Sequence, residues 1–247
     1  MTAAPGNRQD DQALPYRLIV PAGWTRLPSE PHLLRPAVRS MLLRRHQHLP
    51  RDRTAALRRE VEQLLVGVVS GPGREYLRML LVLDLQVERV PVSATCLVSL
   101  LPHGVSGEPG LQELAASQAN DTVLECVVED LGRHRAVVVV RDVPFASPHG
   151  GDENVLAVAR AHADWALSGE DLDSVEVPTS PEPVPDEVLR RARMTRSVDV
   201  VLPVPDTART LLLSFSTPVE PLFAPLTTLF LAIAGTVQFQ RDGQHWT

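Results

Sequence analysis

The stretch from Ser197 to Gln240, SVDVVLPVPDTARTLLLSFSTPVEPLFAPLTTLFLAIAGTVQFQ, leaves little freedom in how it folds. Val198, Val200, Leu202 and Val204 alternate with less apolar neighbours, and period two with β-branched residues predicts a strand. Val201 breaks the alternation, so one face is expected to be well buried and the other only partly polar. Pro205, Asp206 and Thr207 supply a fixed φ and short polar side chains, which predict a turn. A second strand is expected over Thr210 to Ser216, with Leu211, Leu213 and Phe215 on one face. Thr217-Pro218-Val219-Glu220 then reads as a helix start, with Thr217 capping, Pro218 at the first helical position and Glu220 reaching back. Leu222, Leu226, Leu229 and Ile233 recur at helical spacing with Phe223 and Phe230 alongside, and Gly235 suits a left-handed helix end. From Leu229 to Ala234 the helix is apolar all round, so it is buried on more than one side or meets a partner.

Upstream, Tyr16 to Val20 reads as a first strand closed by Pro21-Ala22-Gly23-Trp24. Residues 32–70 read as two helices broken at Leu49-Pro50, the second with a stripe of Leu57, Val61, Leu64, Leu65 and Val68. Ser70-Gly71-Pro72-Gly73 is a turn; it lacks the pattern and the lysine of a phosphate loop. Tyr76 to Val87 and Ser93 to Leu101 are strands, followed by a helix from Leu111 to Asn120. Thr122 to Val128 and Ala136 to Val143 form an antiparallel pair turned at Asp130-Leu131-Gly132-Arg133. The unbroken valines 137–140 predict a central strand buried on both faces. Residues 154–167 fit a helix or a strand equally. Residues 1–14 are expected to be disordered, and 168–187 to be an acidic, proline-rich excursion from a single domain spanning 15–241 that carries a helical insertion at 32–70. Hairpins with interspersed helices give an α+β class, not a doubly wound βαβ sheet.

Several chemistries are excluded outright. All 24 basic residues are arginine, the usage of a GC-rich bacterial genome, so no lysine-based mechanism is open. Cys96 and Cys126 sit in apolar strand-like stretches and read first as buried thiols, with a disulfide or a reactive thiol as alternatives. No Gly-x-Ser-x-Gly elbow, His-Glu-x-x-His or Cys-x-x-Cys motif occurs, so no catalytic group, cofactor or metal is assigned and the expected function is non-enzymatic. His46 and His48 fall on different sides of a helix, and His149, Asp152 and Glu153 make a loose cluster in a glycine-rich loop. The N-terminus lacks the apolar core of a signal peptide and no stretch is long enough to span a membrane, which predicts a cytoplasmic protein without membrane insertion.

The early strand ending in Val20-Pro21-Ala22-Gly23-Trp24, the β-meander, and Leu213-Ser214-Phe215-Ser216-Thr217-Pro218 followed by Leu229-Phe230-Leu231-Ala232-Ile233 resemble the PsbP-like superfamily, in particular its actinobacterial members. That group holds photosystem accessory proteins, a Ran-binding nuclear-import accessory protein, mycobacterial lipoproteins and the effector-associated chaperones of type VI secretion. The resemblance implies an α/β/α sandwich with a mainly antiparallel sheet and a C-terminal apolar helix. It also implies an accessory, chaperone or adaptor role through protein binding, and it transfers no active site.

The candidate contact residues fall in two places. Arg35, Arg39, Arg44, Arg45, Arg51, Arg53, Arg58 and Arg59 stand against the single acid Asp52. They read as a solvated helical face, a docking surface for an acidic protein, or a nucleic-acid face. The last is disfavoured by the net charge of −6 and the lack of an aromatic residue between Arg35 and Arg59. Arg44, Arg45, Arg58 and Arg59 are the residues assigned to partner contact, with Leu222, Phe223, Leu226 and Phe230 of the apolar helix beside them. The expected partner is another protein, secreted or membrane-associated, or a second copy of the chain. The alternative reading is arginine-dependent binding of nucleic acid or an anionic ligand. The acids from Asp164 to Glu187 could oppose the arginines within one molecule or across two.

Overall fold

Seven strands pair antiparallel throughout in the order β2-β3-β4-β8-β7-β6-β5. They are β2 (Trp24–Leu27), β3 (Leu77–Val87), β4 (Val90–Leu101), β5 (Val123–Leu131), β6 (His134–Pro144), β7 (Met194–Pro203) and β8 (Thr210–Thr217). A separate two-stranded sheet joins β1 (Tyr16–Arg17) to β9 (Gln238–Phe239). The computed structural model describes residues 16–45, 59, 62–63, 65–67, 69–87, 90–105, 107–118, 120, 122–144, 194–218 and 222–240. Among these residues the helices are α1 (Pro31–Arg45), α2 (Gly107–Ser117) and α3 (Phe223–Ala234), with further helical residues between 59 and 70. The class is α+β with a mainly antiparallel sheet that does not close into a barrel.

Strand alternation divides the sheet's apolar residues between two faces. On one face Leu81, Leu83, Cys96, Val98, Val138, Val198, Val200, Leu211, Leu213 and Phe215 pack with Leu226, Phe230, Ile233 and Ala234 of α3. Phe215 and Phe230 stack with centroids 4.7 Å apart, and Trp24 meets both edge-on at 6.4 and 6.3 Å. On the other face Leu80 and Val82 pack against Leu34, Val38, Met41 and Leu42 of α1, together with Leu65 and Val69. Farther along that face, Val137 and Val139 pack against Leu111 of α2. The valine run of β6 is thus buried on both faces, and the β7–β8 hairpin lies where the alternation places it. Asp206 takes the left-handed conformation in the β7–β8 turn, φ 59°, which a short polar side chain tolerates.

Several local signals resolve differently from their sequence reading. Thr217 ends β8, fully buried, and its hydroxyl donates to the Ser93 carbonyl at 2.8 Å; the N-cap of α3 is Leu222, and Glu220 lies outside the described residues. The helix begins later, at Phe223. The proline in its first turn is Pro225, where the missing N–H costs nothing, so the proline signal belonged to a residue farther on. Gly235 is right-handed, φ −64°, and the chain leaves the helix through Thr236, whose hydroxyl donates to Ile233 O at 2.6 Å. Near this helix end, a glycine that geometry demands is Gly132 in the β5–β6 turn. Its φ is +62°, and a Cβ there would sit 3.0 Å from the Gly235 carbonyl oxygen. The first strand is shorter than its apolar run, because pairing with β9 is confined to Tyr16 and Arg17. Trp24 both closes the Pro21-Ala22-Gly23-Trp24 turn, its N–H donating to the Pro21 carbonyl at 3.5 Å, and opens β2. The α2 helix starts earlier than Leu111 and ends at Ser117. The break at Leu49-Pro50 and the readings for 1–14, 154–167 and 168–187 lie outside the described residues.

Fully burying a Leu, Ile or Phe side chain contributes about 1.5–3 kcal/mol, so the packing of α3 is a large fraction of the stability of such a domain. Phe230→Ala is expected to cost about 3–5 kcal/mol in urea unfolding, because it removes a ring that touches both Trp24 and Phe215. Tyr16 gives a second test. Its hydroxyl is buried and has no hydrogen-bond partner among the described residues. Burial pushes its pKa up to about 12, against the lowering pull of Arg26 and Arg78. A phenol harder to ionise in the fold than in the unfolded chain contributes stability that is complete below pH about 10 and is lost as pH rises from there through about 12. Tyr16→Phe should therefore flatten the alkaline limb of stability against pH while changing neutral stability by less than about 1 kcal/mol.

Candidate interaction surface

The α1 sequence, PHLLRPAVRSMLLRR, places Leu34, Val38, Met41 and Leu42 at helical spacing, and all four are buried against the sheet. That anchoring fixes what faces outward. Leu33 and Leu43 are exposed at 38% and 47%, lying on one side of the helix with Pro36 between them. Arg35 and Arg39, one turn apart, are exposed along the edge of this apolar strip. Pro36 has no N–H to offer the His32 carbonyl, which therefore lacks its usual intrahelical donor. The helix contains no acid, so its two aligned arginines repel one another by a few tenths of a kcal/mol, an uncompensated cost within α1 itself.

Of the arginines assigned to partner contact, Arg44 and Arg45 end α1 and Arg59 is exposed in the next helical stretch. Arg58 lies outside the described residues. The four apolar residues assigned with them are placed inside. Phe223, Leu226 and Phe230 are buried in the main core, and Leu222 is partly buried against it. Their contact surface is taken up by the chain's own sheet, because α3 lies on the alternating face of β7 and β8. The exposed side of α3 is instead Ala224, Pro225, Thr228 and Ala232. That row of small residues, with Ala224, Thr228 and Ala232 four apart, was the available sign that the helix has a solvent side. Arg196 holds the start of α3. It donates to both carboxylate oxygens of Asp142, Nε to Oδ1 at 2.9 Å and a terminal nitrogen to Oδ2 at 3.1 Å, while its guanidinium lies 4.4 Å from the Phe223 ring centroid.

The sheet face opposite α3 carries a polar row that the sequence reading did not single out. Thr95, Ser216, Ser197 and Arg141 are neighbours on four successive strands. Thr95 and Ser216 share a 2.6 Å hydrogen bond between their hydroxyls, and Arg141 pairs with Asp199 at 3.0 Å. All of these side chains are half-buried. Cys126 lies beside them, its thiol donating to Ala115 O at 3.4 Å. Burial pushes that thiol's pKa up more than Arg141 lowers it, so the sulfur is held as a thiol and not as a nucleophile. Cys96, fully buried, is raised much further for the same reason, and both cysteines are free. Among the described residues no three His, Cys, Asp or Glu side chains gather in a group that could hold a metal ion. His46, His48, His149, Asp152 and Glu153 lie outside them, as does Trp165. No helix among the described residues is long and apolar enough to cross a membrane.

Comparison with family models, curated proteins and solved structures yields no match for this chain.

The Arg196 clamp makes a direct prediction. Arg196→Ala leaves the Asp142 carboxylate without its bidentate partner and strips the cation from Phe223, and should lower the urea midpoint by the equivalent of about 1–3 kcal/mol. Arg196→Lys, which retains the charge but not the planar fork, should recover only part of that loss.

Proposed function

We propose that this chain is a non-enzymatic protein-binding module, an α/β/α sandwich of the PsbP-like kind that serves in the cytoplasm as a chaperone, adaptor or accessory factor for a secreted or membrane-associated protein. The observation that carries the reading is the outer side of α1, where exposed Leu33 and Leu43 are bordered by Arg35 and Arg39. The occupant that fits is an acidic amphipathic segment. Its apolar side would cover the two leucines, and its carboxylates would meet the guanidinium forks, which orient and speed association more than they tighten it. The resemblance of the Val20–Trp24 and Leu213–Pro218 segments supports the accessory role, and the helix packed on each sheet face supports the sandwich assignment.

The test is co-purification of the whole chain from its source organism at low and high salt, run beside Leu33→Asp/Leu43→Asp and Arg35→Glu/Arg39→Glu variants. A protein retained by the unaltered chain at high salt should be lost by the leucine variant and should bind the arginine variant about tenfold more slowly. Both variants should unfold at the temperature of the parent. Retention of the same protein by the leucine variant would sink the assignment. Nucleic acid released by salt, and lost with the arginines, would favour the alternative reading of an anionic-ligand binder.

A further inference from the structure

The seven-stranded sheet has two edges, and they are unlike. At one end β2 is four residues long. At the other, β5 is nine residues long and hydrogen-bonds along one side with β6, in regular register from Glu125 to Leu131. Among the described residues nothing pairs with its other side, so β5 presents a row of backbone N–H and C=O groups pointing away from β6. The side chains along this edge have a pattern. Glu125 and Glu129 point to the same face with half-buried Val127 between them, since they sit opposite Val140, Ala136 and Val138 of β6. Both carboxylates are exposed, and neither meets a cation among the described residues. Asp130, on the alternate face, reaches Arg135 only at 3.7 Å. Leu124 is 56% exposed.

We propose that β5 is a docking edge for an extended basic segment of another protein, which adds to the sheet as a further antiparallel strand. Main-chain hydrogen bonds would supply the attachment and the acids the selectivity. A second copy of this chain is the wrong occupant. Antiparallel self-pairing about Val127 would set Glu125 of each copy directly across from Glu129 of the other, and like charges facing each other across a ladder destabilise it. The register instead specifies the complement. An antiparallel partner carries adjacent basic residues opposite Asp130 and Glu129, and a third basic residue four positions beyond the second, opposite Glu125. Between them lie apolar or β-branched residues that meet Val128, Val127 and Cys126. The α1 surface packs with β2, β3 and β4, at the other end of the strand order. The two sites are therefore independent, and failure of either leaves the other standing.

The probe is a fluorescein-labelled peptide, Thr-Arg-Arg-Val-Thr-Val-Arg-Thr, titrated into the full chain and followed by anisotropy and by amide chemical shifts. Saturable one-to-one binding is expected, with shift changes centred on residues 123–131. Glu125→Arg/Glu129→Arg should weaken binding by about tenfold or more, as should N-methylation of alternate peptide residues, which removes the main-chain donors but keeps the charge. A peptide with glutamate in place of each arginine should not bind the unaltered chain, a control that does not depend on any variant folding. Unchanged affinity of the N-methylated peptide, undiminished binding by the double variant, absence of binding by the parent peptide, or self-association of the chain through β5 would each overturn the proposal.

Discussion

Everything in this fold hangs on the pairing of β4 with β8. These strands come from opposite halves of the chain, and their register joins Thr95 to Ser216 and Leu101 to Thr210. The β3–β4 ladder lies to one side of that seam and the β7–β6–β5 ladder to the other, so without it the sheet is two separate meanders. The register is held by alternation. A slip of one residue would move Leu211, Leu213 and Phe215 from the α3 core to the opposite face and bring Ser214 and Ser216 under Phe230. The Thr95–Ser216 and Thr217–Ser93 hydrogen bonds tie the same seam from its polar face and from the end of β8.

How much of this was legible in the sequence follows from the range over which each signal acts. Period-two alternation is a property of the strand itself, so β7, β8 and the buried valines of β6 could be read residue by residue. Helix ends depend on what the neighbouring strand does. Thr217 belongs to the β8 ladder, where its hydroxyl donates to Ser93, and the N-cap of α3 falls at Leu222. Gly235 was a plausible terminator, yet the close approach that requires a glycine falls at Gly132, on a hairpin more than a hundred residues earlier in the chain. The order of the strands, and hence the identity of β5 as an edge, is a tertiary fact with no local signature.

The assigned contact residues divide along the same line. Exposure of arginine is the default, and Arg59 is exposed as expected. An apolar helix carries no such default: Phe223, Leu226 and Phe230 are buried within the chain itself, Leu226 and Phe230 against its own strands, so their apolar character is a requirement of the core. The exposed leucines of α1 were hidden in a sequence that alternates arginine with apolar residues, and they emerge only when the buried side of that helix is known.

The small sheet formed by β1 and β9 brings Tyr16 against Phe239, and Ile19 N–H donates to the Thr236 hydroxyl at 3.1 Å across a sequence separation of 217 residues. On the ribosome, the residues that complete this contact are made more than two hundred residues after Tyr16 and Ile19. Until they emerge, Tyr16 and its neighbours have no strand to pair with, and the aromatic cluster beneath α3 lacks the helix that closes it. Synthesis of this chain therefore passes through a long interval in which the apolar residues of β3 and β4 have been made but neither β8 nor α3 is there to pair with or cover them.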